Sequence, residues 1–129
     1  MSSVADLDAL TDFFDRYGVA LTAGDLSTIA SCYAMPGMVV SDSFSFSFSS
    51  PAAVALSFLG AAPAYREREL VAAHAQLRDV RQLTQSLTEV GVDWEFLDSQ
   101  GGFLRGDSIR YVLRTGPEGP QICVVVRSS

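Results

Sequence analysis

The sequence predicts an α+β fold: helices near the N-terminus, packed on a strongly curved antiparallel sheet. Three observations lead there. Val4, Leu7, Leu10, Phe14, Tyr17 and Leu21 recur at intervals of three and four, which is one apolar stripe on a helix. Much later, Val90, Val92, Trp94 and Phe96 alternate with Glu89, Gly91, Asp93 and Glu95, the period of a half-buried strand. Helical patterns are confined to the chain before about residue 65, and the sheet occupies the rest. Elements grouped by type, rather than alternating, place helices on one face of the sheet.

Each element has its own signals. Ser3-Val4-Ala5-Asp6 reads as a capping box that opens the first helix. Ala23-Gly24 breaks it, and Asp25 caps a second, short helix whose apolar face is Leu26, Ile29 and Tyr33. Met35-Pro36-Gly37 ends that helix, and extended structure begins at Met38. Ser50-Pro51 is a cap followed by proline in the first helical turn, so a third helix runs to about Gly60 with Val54 and Phe58 facing inward. Strands follow near Leu70–Val80 and from about Ser86 to Leu97, with a turn at Asp98–Gly102. The next strand carries Ile109, Tyr111 and Leu113 against Arg110 and Arg114, and Gly116–Pro120 turns once more. Ile122 to Val126 is apolar on both faces, as a central or doubly covered strand requires.

At 129 residues and 48% apolar, the chain is read as one domain spanning 1–129 with a substantial core. The net charge of −6 disfavours nucleic acid. No apolar run reaches the length of a membrane span, and the first residues lack a signal pattern, so the expectation is a soluble, cytoplasmic protein with no membrane partner. Cys32 and Cys123 sit in apolar surroundings and read as buried free thiols. With a single histidine and no C-x-x-C, no metal site is expected. The run Arg66-Glu67-Arg68-Glu69 reads as a solvated segment.

The stretch Ser43–Ser49 alternates serine with Phe44, Phe46 and Phe48. In a strand the three rings share a face, and such a face needs cover. Three covers are open: a ligand, the core beneath the third helix, or a partner subunit. His74 lies among alanines that leave space around it, so a buried imidazole acting as a base is one reading and a structural histidine the other. Trp94 packs in the sheet core or floors a pocket.

The segment DRYGVALTAGDLSTIASCYA, Asp15 to Ala34, resembles the start of the ketosteroid-isomerase and SnoaL-like polyketide-cyclase group, within the nuclear-transport-factor-2-like superfamily. The matching features are Tyr17, Gly24-Asp25 and Tyr33-Ala34, with the third helix and closing strands in the same order. The resemblance implies a cystatin-like cone enclosing an apolar pocket. It also implies a carboxylate base on the first strand, with a helical tyrosine and a late-strand acid as oxyanion donors. Carried over by position, the tyrosine is Tyr17, the base position is Ser41 with Asp42 one residue beyond, and the acid position is held by Tyr111. A shift of one residue on a strand turns a side chain to the other face unless a bulge restores it.

Two functions are therefore carried forward. One is a cofactor-independent isomerase or cyclase that abstracts a proton next to a carbonyl. Asp42 or His74 would be its base, Tyr17 and Tyr111 its oxyanion donors, and Phe44, Phe46, Phe48, Phe58 and Trp94 the lining for an apolar small molecule. The other is a non-catalytic binding or dimerisation module on the same cone. Under either reading the outer side of Ile122–Val126 needs cover, and a homodimer is expected to provide it.

Overall fold

The computed structural model describes residues 7–59 and 70–128. The capping box at Ser3–Asp6 and the charged run at Arg66–Glu69 lie outside them. In chain order the elements are α1 (Leu7–Ala23), α2 (Leu26–Ser31), β1 (Tyr33–Val40), β2 (Ser45–Phe48), α3 (Pro51–Leu59), β3 (Leu70–Gln82), β4 (Leu87–Asp98), β5 (Phe103–Gly116) and β6 (Gly119–Arg127). The helix starts follow their caps. The Asp25 carboxylate accepts from the Thr28 N–H at 3.2 Å, and Ser50 Oγ accepts from the Ala53 N–H at 3.2 Å. α1 stops at Gly24, whose φ of +68° suits a residue without Cβ.

The strands form one six-stranded sheet in the order β2-β1-β6-β5-β4-β3. Every neighbouring pair is antiparallel except β1 and β6, which run parallel. The sheet is thus mixed rather than wholly antiparallel. The meander from β3 to β6 fixes the direction in which β6 reaches the remaining edge of β1. Register breaks at Leu70/Ala72, Leu77/Asp79, Asp93/Glu95 and Val112/Leu113 add the local twist that bulges bring.

One expectation about α2 and β1 is corrected. The short helix ends at Ser31, and Tyr33 is the first residue of β1 rather than part of the helical face. Met35-Pro36-Gly37 lies within β1, where the Met35–Pro36 peptide is cis, and the pairing with β6 is irregular between Tyr33 and Met38. Proline has no N–H for the ladder, so a strand holds it only at such an irregularity.

Cross-strand partners define the two faces. Val39, Val125, Tyr111, Val90 and Val80 lie in one row across β1, β6, β5, β4 and β3, all on the side covered by the helices. The core gathers there, with Phe13, Phe14, Ile29, Leu113, Ile122 and Val90 among its most deeply buried members. Gly18 lets α1 close on β3 and β4: a Cβ there would stand 2.9 Å from the Ala73 carbonyl oxygen and 3.3 Å from the Trp94 ring.

Candidate functional site

The centre of the helix-covered face is aromatic. Tyr17 falls on the stripe of α1 with Phe13 and Phe14, one helical turn earlier. Tyr33 enters from β1, Trp94 from β4 and Tyr111 from β5. None of the four is more than 4% exposed. The Tyr17 and Tyr33 hydroxyls share a hydrogen bond of 2.6 Å. The Trp94 indole N–H donates to the Tyr111 hydroxyl oxygen at 2.9 Å. The Tyr17 ring stands 5.9 Å from Trp94, 6.0 Å from Tyr33 and 6.4 Å from Tyr111. An indole N–H can only donate, so Tyr111 is the acceptor of that bond.

Three of the residues singled out in the sequence thus meet: Tyr17, Tyr111 and Trp94. Sequence reasoning missed the fourth, Tyr33, because it was assigned to the helix. The signal that finds it is Pro36, which argues for extended or irregular chain so soon after α2.

The phenylalanine ribbon divides. Only Ser45–Phe48 is strand, and Ser41–Phe44 forms the turn from β1 to β2, with the Ser41 N–H donating to the Phe44 carbonyl at 2.8 Å. Phe48 is buried against Tyr33, with ring centroids 5.3 Å apart. Phe48 also covers Gly37, its cross-strand partner, where an added Cβ would meet the ring edge at 2.5 Å. Phe46 pairs with Val39 and so shares the inner face, yet it is 40% exposed. Phe44 is 48% exposed and stacks on Phe46, 6.0 Å between centroids and 10° between planes. The side chain of Phe58 lies outside the described residues.

The two candidate bases stand apart from the tyrosines. Asp42 is exposed in the β1–β2 turn. His74 is exposed on β3 opposite Glu95, on the outer face, because its neighbours Ala73 and Ala75 take the inward positions. Among the described residues no Asp, Glu or His is buried. Asp79, Glu89 and Asp93 gather on the outer face. Arg110 bridges Asp79 and Glu89, each at 2.6 Å, and Arg78 pairs with Asp93 at 2.7 Å. Among the described residues no three His, Cys, Asp or Glu side chains are placed to hold a metal ion. No helix in that part is long and apolar enough to cross a membrane.

A buried aromatic core under N-terminal helices now has its place among known proteins. The family model described as NTF2-like protein (DUF6841) matches residues 8–129. The chain belongs to that family. No curated protein matches the sequence. The NTF2-like fold recurs in solved structures. A protein described as NTF2-like with a cystatin-like fold, from Novosphingobium aromaticivorans, superposes with a TM-score of 0.72 at 16% identity, over 95% of this chain and 80% of its own. A domain of unknown function with a cystatin-like fold, from Nostoc punctiforme, gives 0.72 at 16% identity over 97% and 77%. An NTF2-like protein of unknown function from Shewanella oneidensis gives 0.71 at 12% identity over 95% and 98%. At these identities the likeness shows the fold alone, which is cystatin-like.

Proposed function

We propose that this NTF2-like protein binds a small, largely apolar molecule on the concave side of its sheet without acid–base chemistry. The observation that carries the reading is the polar content of that side. Its centre offers tyrosine hydroxyls and an indole, while every described carboxylate and the histidine stand elsewhere. A general base must come within hydrogen-bond reach of the proton it takes, and neither Asp42 nor His74 is placed with the tyrosines. Hydroxyls fixed among rings suit a neutral oxygen on an otherwise apolar ligand, as in sites where a few polar groups orient a hydrophobic body. The stacked pair Phe44 and Phe46, on the same face and half open to solvent, supplies apolar surface for the part of the ligand farthest from the tyrosines.

The reading is tested by melting the protein with 2-naphthol and with naphthalene while following Trp94 fluorescence. A ligand that binds only the folded state raises the midpoint. 2-Naphthol should stabilise more than naphthalene, and Tyr111→Phe should abolish the difference. Equal effects of the two compounds, or none, would remove the proposal. Turnover of a ketone substrate that survives in Asp42→Asn but falls by about a hundredfold or more in Tyr111→Phe would restore an enzymatic reading on different residues.

A further inference from the structure

Register places a cation on the inner side of the sheet, at its rim. Arg127 pairs with Ile109, and Ile109 with Val92. Val92 is core and Ile109 packs against the core. Side chains directly opposite one another share a face, so Arg127 stands on the inner side, two residues beyond buried Val125. Asp107 reaches the same side. Ser108 pairs with Asp93 and Arg105 with Glu95, which leaves Gly106 and Asp107 together opposite Trp94. Two residues against one make a bulge, and a bulge re-aims a side chain. Gly106 lets it form beside the Phe96 ring, which a Cβ there would strike. Arg127 Nη2 and Asp107 Oδ2 stand 3.7 Å apart, and the two side chains are 41% and 74% exposed.

This pair differs from those on the outer face. Arg110 and Arg78 hold their acids at 2.6 and 2.7 Å, whereas the 3.7 Å of the rim pair is too long for a hydrogen bond. Asp107 balances Arg127 loosely, and the guanidinium fork is open to a stronger acceptor. Its neighbours are those of the inner site. Tyr111 pairs with Val125, so Tyr111 and Arg127 are diagonal neighbours, about 7–8 Å apart at the backbone. On the other side β1 and β6 run together through Val40 and Val126, and Ser41 follows the one as Arg127 follows the other. Ser41 closes the turn onto Phe44, whose exposed ring stacks on Phe46.

We propose that Arg127 receives an anionic end of the ligand, which makes the ligand class an amphiphilic anion. Its flat apolar body lies along the inner face, its neutral oxygen turns toward the tyrosines, and a carboxylate sits at the rim. The inference rests on the apolar-ligand reading of the inner face and adds a charge to it. A carboxylate matches the guanidinium fork with two parallel N–H···O bonds, which the present contact with Asp107 does not make. The chain carries a net charge of −6, so an anion settles on it only beside a local cation. Arg127 is such a cation, and it stands next to apolar surface that is open to solvent. Asp107 holds the place of the ligand carboxylate and is displaced when the ligand arrives.

Titration calorimetry of the whole chain with 6-hydroxy-2-naphthoate and with 2-naphthol, at neutral pH, tests this. The two compounds share a ring system and a hydroxyl and differ by the carboxylate. 6-Hydroxy-2-naphthoate should bind about tenfold more tightly, as a charge-assisted bond at a part-exposed site provides. Arg127→Gln should bring the two compounds to equal affinity. Asp107→Asn removes the competing acid and should widen the preference, and added salt should narrow it. Arg114→Gln removes the same charge from the far end of β5 and should leave the preference as it is. Circular dichroism establishes that each variant is folded. Should Arg127→Gln misfold, Asp107→Asn decides: a preference that does not widen counts against the proposal. Equal affinities in the wild-type protein, or a preference that survives Arg127→Gln, overturn the proposal and leave the apolar site standing. Binding of neither compound overturns both.

Discussion

Four buried aromatic residues with polar tips are an unusual way to fill a core. A leucine would pack there without needing a partner for its tip. Each polar tip must be hydrogen-bonded when buried, or its desolvation goes unbalanced. Tyr17 and Tyr33 meet that need with each other, and Trp94 and Tyr111 do the same. Tyr17→Phe should therefore lower unfolding free energy by about 1–2 kcal/mol, measured by urea denaturation, because it removes one member of a buried pair. A loss near zero would mean that the pair is not part of the folded state in solution. The thiols offer a second test at this scale. Burial pushes the Cys32 thiol up, against the opposing influence of nearby Arg16, and Cys123 is also buried. The thiolate is the reactive form, so both cysteines should resist a thiol reagent at pH 8 in the native protein. They should react within seconds once urea unfolds it. Rapid labelling of Cys32 in the native state would contradict this packing.

At the scale of elements, the ribbon shows how one pattern can hold three different environments. Phe48, Phe46 and Phe44 become more exposed toward the β1–β2 turn, from 6% to 40% to 48%. Phe48→Ala should cost about 3–5 kcal/mol, as a buried large-to-small change does, whereas Phe46→Ala should cost well under 1 kcal/mol. Phe46→Ala should instead weaken the binding of 2-naphthol. A large loss of stability from Phe46→Ala would show that the ring is core and not a binding surface. Periodicity could place these rings on one face, but it could not say how far the helices extend over that face. It served well where the period was sustained: Val90 to Phe96 and Ile109 to Leu113 point inward as their alternation requires. It failed at Tyr33, where a helical spacing continued by chance into a strand. For His74 the flanking alanines suggest space for a buried imidazole without saying on which face it lies, and a structural histidine is the other reading. Alternation settles the face only once the register is known, and His74 has the parity opposite to Ala73 and Ala75.

At the scale of the whole molecule, charged side chains of β3, β4 and β5 tie three strands together on the outer face of the sheet. The outer ion pairs join β3, β4 and β5, since Arg110 on β5 holds Glu89 on β4 and Asp79 on β3. Hydrogen bonding from Arg110 is the main cause that lowers the Asp79 carboxyl from its usual 3.8; attraction to Arg110 and Arg78 adds to it, and burial opposes it. The Asp25 carboxyl is lowered too, by its side-chain and backbone bonds to Thr28 at the start of α2. A carboxyl lowered in the folded state favours folding fully above its unfolded value, about 3.9 for aspartate. That contribution is lost as pH falls through the folded value. The urea midpoint should therefore be insensitive to these two groups above about pH 5 and should drop below pH 4. Both groups are exposed to solvent, so the drop from either alone is small and should shrink further in high salt. Asp79→Asn should lower the midpoint at pH 7 and flatten the acid-side slope. Arg110→Gln should do the same, because it removes the main cause of the shift. An acid slope unchanged in both variants would mean that the network does not couple these strands, and the acid sensitivity would then have to come from Asp25 or from other carboxylates.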